Sequence, residues 1–139
     1  MKRMIASTLA LLALVALAPA AHAAERCSAT RLKGNYGFSF SGFFQNQGAN
    51  LPLSGVGVGT LDGEGNASAT VTASFNGVLS TFPWTGTYSV NPDCTGLMTA
   101  TPGLGLVSFS IVVVRGGAEV LGEASDPGNA WTIDFKKIE

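Results

Sequence analysis

The chain has 139 residues, of which 12% are charged, and its formal net charge is −1. Because its basic residues form no dense cluster beyond Lys136 and Lys137, nucleic acid is not an expected partner. The single histidine, His22, lies in the N-terminal segment. The rest of the chain therefore cannot use Ser-His-Asp or Cys-His catalysis, and it lacks the commonest ligand of zinc and copper. We predict neither a metal site nor a cofactor.

An export signal is indicated by two basic residues followed by the apolar run Ile5–Ala18, which is short for a membrane span. The small residues of the sequence AHA, at 21–23, fit a signal peptidase site, so we predict cleavage before Ala24. Cleavage after Ala20 and a retained N-terminal anchor are the alternatives. The predicted organisation is a signal peptide, residues 1–23, and one secreted or periplasmic domain, residues 24–139, without a membrane span.

Beyond the signal, apolar residues alternate with Gly, Ser and Thr, and clusters of Gly, Pro, Asn and Asp interrupt this alternation. The short links between segments favour antiparallel neighbours in up-and-down order. A small closed barrel would leave no exposed edge strand, and its sharply bent strands would accommodate many glycines. We therefore predict an all-β fold with one antiparallel eight-stranded up-and-down barrel; a β-sandwich is the alternative. The eight predicted strands are 35–45, 53–61, 67–75, 82–90, 94–100, 107–115, 118–124 and 130–138.

Aromatic residues in the first and fourth strands recur at even spacings and so share one face of each strand. Such residues line apolar pockets, but they more often fill the core. The candidate pocket residues are Tyr36, Phe38, Phe40, Phe44, Trp84 and Tyr88.

The link after the second strand resembles the start of a calcium loop, because Asp62, Glu64 and Asn66 offer oxygen ligands at alternate positions. An EF-hand loop also needs glycine at its sixth position and glutamate at its twelfth, where this chain has Ala67 and Ala73. The intervening glycines and the strand patterns on both sides indicate a hairpin tip. We predict a turn here, and no metal ligand.

A candidate polar site lies near the end of the chain. Glu119 and Glu123 share one face of the seventh strand, and Arg115 ends the sixth. If that face points inward, the carboxylates could bind a ligand or act as acid and base, with pKa values raised by burial. Barrel exteriors are normally polar, which favours an outward orientation as solvated surface charges. Asp134 alternates with apolar neighbours, and this pattern predicts that it also faces outward.

Three motifs carry a family resemblance: LKGNYGFSFSG, GVGTLDGEGNASATVT and GTYSVNPDCTGLMTA. With them the chain resembles small secreted bacterial proteins, mostly uncharacterised, over nearly the whole exported part. These proteins look similar to calycin-like and allene-oxide-cyclase-like barrels. The resemblance implies a central cavity and, in some relatives, isomerase or cyclase chemistry on apolar substrates. It transfers no catalytic residue, because the matching motifs are turns, glycines and a cysteine.

Three functional hypotheses follow. The missing histidine and the aromatic strand faces favour a non-enzymatic exported barrel that binds a small apolar ligand or a surface partner. The resemblance alone suggests a cofactor-independent isomerase or cyclase of allene-oxide-cyclase-like type. A structural, envelope-associated domain with a filled interior is the third hypothesis.

The two cysteines, Cys27 and Cys94, both belong to the exported part. An even number of cysteines in an oxidising compartment indicates a disulfide. The bond would close a long loop, which contributes about 4 kcal/mol in the chain-entropy model. It would also hold the N-terminus against the sheet.

We expect reduction, or Cys94→Ser, to destabilise the exported protein by about 2–5 kcal/mol without changing its fold class, because the unfolded chain regains the entropy of the open loop. Denaturant unfolding with and without reductant measures this change. Thiol titration of the unfolded, unreduced protein checks the pairing, and two reactive thiols per chain would contradict it.

Overall fold

The computed structural model describes residues 26–102 and 105–138, so the predicted signal peptide lies outside the described residues. Eight antiparallel strands form one closed barrel in which each strand pairs with its neighbours along the chain and β8 pairs with β1. This confirms the predicted up-and-down barrel and excludes the sandwich. The strands are β1 (Gly34–Asn46), β2 (Ala49–Leu61), β3 (Asn66–Phe75), β4 (Val78–Val90), β5 (Thr95–Thr101), β6 (Val107–Val114), β7 (Glu119–Ala124) and β8 (Asn129–Lys137).

The barrel interior combines large side chains on some strands with small ones on others. Strands β1, β4, β6 and β8 bring mainly aromatic and branched residues inward. Strands β2, β5 and β7 bring several glycines and alanines inward, together with Leu53, Leu61, Met98 and Val120. Gly122, for example, is paired with Ile111 on one side and Ile133 on the other. A glycine that faces large side chains in this way lets neighbouring strands pack closely in a narrow cylinder.

Two glycines of β2 make room for two phenylalanines of β1. Gly57 pairs with Phe38 and Gly55 pairs with Phe40. A Cβ atom on either glycine would lie 2.3 Å from the Cζ atom of the facing ring. Glycine is therefore required at both positions because the rings occupy the space that any larger residue would fill.

One end of the barrel is closed by the N-terminal segment. A short 3-10 helix, Ala29–Leu32, places the Leu32 side chain in the core with no exposed surface. Cys27 and Cys94 stand at disulfide distance, with Cα atoms 4.9 Å apart, so the segment is held beside the β4–β5 link. We call this the closed end; it comprises residues 26–33 and the links 62–65, 91–94 and 115–118.

The opposite end, here called the open end, carries the links 47–48, 76–77 and 125–128 and the described residues 102, 105 and 106 between β5 and β6. It contains the ends of the long β1–β2 and β3–β4 hairpins. No helix within residues 26–102 and 105–138 has the length and hydrophobicity needed to cross a bilayer.

We expect Gly57→Ala to lower the free energy of unfolding by about 1–3 kcal/mol, because the added methyl group would also lie 2.8 Å from the carbonyl oxygen of Thr70. Gly37→Ala is the matched control on β1, since its Cβ would meet no atom closer than 3.7 Å. Chemical denaturation of both variants checks this. Equal stability of the two would contradict the steric argument.

Candidate functional site: an apolar cavity at the open end

The open half of the barrel contains a cavity of about 380 Å³. Inward-facing residues of six strands, β1, β2, β3, β4, β6 and β8, form its wall because their side chains point to the axis at every second position. The lining residues are Phe38, Phe40, Phe44, Gln45, Asn46, Leu53, Val71, Phe75, Phe82, Trp84, Pro102, Leu106, Val107, Phe109, Asn129, Trp131 and Ile133.

The deepest part of the cavity is an aromatic floor. The Phe38 ring centroid lies 5.4 Å from that of Trp84 and 4.9 Å from that of Phe135 below it. All three residues are buried. The floor separates the cavity from the closed half of the barrel.

A second aromatic group forms the wall above the floor. Trp131 lies with its ring centroid 5.4 Å from that of Phe40 and 4.9 Å from that of Phe109, the latter in an edge-to-face arrangement. Such tilted and edge-to-face contacts are the favourable geometries for aromatic pairs. The wall is therefore held in place by its own ring contacts.

The mouth is bordered by three half-buried phenylalanines. The Phe75 ring lies 5.9 Å from that of Phe44 and 6.1 Å from that of Phe82, measured between centroids. Gln45, Asn46 and Asn129, which carry amide side chains, also line the cavity at this level. Every described lining residue is uncharged, so the cavity presents an apolar surface with a few amide residues at its mouth.

Four of the six predicted pocket residues, Phe38, Phe40, Phe44 and Trp84, line the cavity. The two tyrosines lie in the closed half instead. The Tyr36 hydroxyl donates a 2.6 Å hydrogen bond to the carbonyl of Gly117, and the Tyr88 hydroxyl accepts a 2.8 Å bond from the amide of Gly63. They thus join the barrel to two links of the closed end.

The environment of these tyrosines keeps both hydroxyls protonated. Burial, with a smaller contribution from Tyr88, raises the pKa of Tyr36 to about 12. Burial also raises the pKa of Tyr88. Neither phenol is prepared to act as a base at neutral pH.

Sequence reasoning missed several lining residues, among them Phe82, Phe109 and Trp131. Each lies on the inward face of its strand, so strand periodicity could have included it. Only the pairing of strands decides which inward residues share one level of the barrel, and that signal is absent from the single sequence.

The candidate polar site lies on the exterior of the barrel. Glu119 and Glu123 alternate on β7 with the buried residues Val120 and Ala124, and Glu123 is exposed. Glu119 forms ion pairs with Arg115 at 3.5 Å and Lys136 at 4.0 Å. These charges are surface groups that do not reach the cavity.

Asp134 also faces outward, as its alternation predicts. It forms an ion pair with Lys136 at 3.1 Å. None of the described residues that line the cavity is a carboxylate, lysine or tyrosine.

The Asp62 segment is the tip of the β2–β3 hairpin. The Asp62 carboxylate accepts backbone hydrogen bonds from Glu64 at 2.7 Å and Asn66 at 2.9 Å, and the Asn66 amide donates a third at 2.6 Å. These bonds, that of the Asn66 side chain first, lower the pKa of Asp62 to about 2. Within the described ranges, no three His, Cys, Asp or Glu side chains form a group that could hold a metal ion.

No protein-family model matches this chain, and no curated protein or solved structure matches it significantly. The resemblance to secreted bacterial proteins and calycin-like barrels accordingly stays a prediction. The candidate site is defined by the geometry of the chain itself.

The hairpin tip predicts a pH dependence. Because folding lowers the pKa of Asp62 from 3.8 to about 2, its stabilising contribution is complete above pH 4 and is lost as the pH falls toward 2. We expect Asp62→Asn to be less stable than the wild type at pH 6 and to lose less stability between pH 5 and pH 2. Thermal unfolding across this range measures both, with Glu64→Gln as the control. An identical acid profile for Asp62→Asn and wild type would refute the assignment.

Proposed function

We propose that the protein is an exported, non-enzymatic barrel that binds a small apolar ligand in the cavity at its open end. The observation that carries this proposal is a cavity of about 380 Å³ whose described lining is uncharged and rich in aromatic rings. Ligand pockets typically measure roughly 300–1,000 Å³ and combine an apolar lining with a few polar groups. The ligand would place its hydrocarbon part against the aromatic rings and any polar group beside Gln45, Asn46 and Asn129 at the mouth.

The positions of the titratable groups favour binding over isomerase or cyclase chemistry. General acid–base catalysis needs a proton donor or acceptor within hydrogen-bond reach of the substrate. The acidic residues Glu119, Glu123 and Asp134 face the exterior, and both tyrosine hydroxyls are engaged in the closed half. A ligand in the cavity would therefore contact aromatic rings and amide residues, but no described acidic or basic side chain.

The size of the cavity favours binding over a purely structural role. A structural barrel of this width can fill its interior with side chains, as the closed half of this one does. The open half could have been filled by replacing Val71 or Val107 with larger residues, yet both valines leave space at the cavity wall.

Export is supported by the predicted signal peptide and by the cysteine pair. Cys27 and Cys94 stand at disulfide distance, which is compatible with an oxidising compartment. An apolar ligand in the periplasm or outside the cell needs protection from water, and a cavity of this kind provides it.

We expect the protein to take up a neutral apolar fluorophore such as N-phenyl-1-naphthylamine, with energy transfer from Trp84 and Trp131, which line the cavity. Val107→Trp should fill part of the cavity and weaken uptake by about tenfold or more, since each 1.4 kcal/mol of lost binding is tenfold. Val112→Trp is the matched control, because Val112 lies on the outer face of the same strand. Fluorescence titration measures the affinities.

Failure of the wild type to bind the probe, or equal binding by both tryptophan variants, would contradict a ligand site in this cavity. Native mass spectrometry of protein purified from its own host then addresses the ligand itself. A retained mass that Val107→Trp loses and Val112→Trp keeps would identify the cavity as its location.

A further inference from the structure

The open end exposes several large apolar side chains. The three most exposed large apolar side chains of the described residues are Leu79 at 73%, Val78 at 70% and Leu106 at 67%. All three lie at this end, and Phe43, 53% exposed, lies near them on the outer face of β1. We call these four residues the apolar rim. Large exposed apolar side chains beside the mouth of a cavity mark a candidate interaction surface.

The charges of the protein are concentrated away from the apolar rim. The described links of the open end carry one charged side chain, Asp126, and its carboxylate accepts a 2.6 Å hydrogen bond from the backbone amide of Ser108. All the described basic residues lie at or beside the closed end: Arg26, Arg31, Lys33, Arg115, Lys136 and Lys137. The rim is instead interspersed with uncharged amides such as Gln47, Asn50 and Asn76.

We propose that the apolar rim docks on the surface of a lipid bilayer and places the mouth of the cavity against the acyl-chain boundary. This inference rests on the proposed function, because it gives the apolar ligand a route between bilayer and cavity that avoids water. Leu106 supports the connection directly, since it belongs to the rim and also lines the cavity.

The chemistry of the open end fits a bilayer better than a second protein copy. Peripheral membrane proteins insert apolar side chains about 5–10 Å into the headgroup boundary, where amides can hydrogen-bond to headgroups. The apolar rim and the neutral amides beside it fit that layer because they bring no charged side chain into it. Two copies joined rim to rim would instead seal both cavities from the ligand.

The test is cosedimentation of the full exported protein with phosphatidylcholine vesicles, which carry no net charge. Val78→Asp/Leu79→Asp should lower the partition coefficient by about tenfold or more, because charged groups resist entry into the acyl boundary. Neither residue lines the cavity. The matched control is Val58→Asp/Leu97→Asp, which places the same charges on exposed positions of the barrel wall. Circular dichroism verifies the fold of each variant.

The expected result is binding by wild type and wall variant and loss of binding by the rim variant. Absence of wild-type binding, or equal binding by all three proteins, would overturn the proposal. So would binding that requires anionic lipid and disappears in salt, since that would point to the basic residues of the closed end. A wild-type dimer that dissociates only in the rim variant, without vesicle binding, would assign the rim to a second copy.

Probe uptake without vesicles separates this inference from the proposed function. The rim variant should bind N-phenyl-1-naphthylamine as the wild type does, because the cavity is intact. Loss of vesicle binding with retained uptake supports both proposals. Vesicle binding without any probe uptake would leave the docking surface in place and overturn the ligand site alone.

Discussion

The rings of Phe38 and Phe40 extend from β1 over Gly57 and Gly55 of β2, and the rest of the barrel depends on this contact. Because the two glycines have no side chains, the rings can reach into the centre of the cylinder. Phe38 then meets Trp84 and Phe135 to form the floor, and Phe40 meets Trp131 in the wall. The floor divides the interior into a filled half and a hollow half. A chain with valines at both glycine positions would have to move these rings and would lose that division.

The two halves differ in how their polar groups are satisfied. The closed half fixes its links with the hydroxyls of Tyr36 and Tyr88 and with the segment held near Cys94. The open half has few such bonds, and it leaves large apolar side chains in contact with water. Exposed apolar side chains beside a cavity mouth fit a trade of stability for function there.

Strand number, strand order and most inward faces were predictable from the sequence because they follow from a two-residue period and short links. The depth of each residue along the axis was not. Tyr36 and Phe38 have the same parity on β1, yet one lies in the closed half and the other lines the cavity. The orientation of β7 was also ambiguous, because Leu121 on one face and Val120 on the other are both apolar. Packing decides it: the large residues Ile111 and Ile133 leave space only for Gly122 between them.

The pairing of β1 with β8 has a consequence for the order of folding. The register from Tyr36–Lys137 to Phe44–Asn129 joins the first strand to the last, so the cylinder cannot close until synthesis is nearly complete. Until then the growing sheet presents an unpaired edge of β1, which is a template for association with other chains. The cysteines lie at positions 27 and 94, so both are available once β4 has been made. Oxidation at that stage would tether the unpaired β1 edge near β4 and shorten the search for closure while the final four strands emerge.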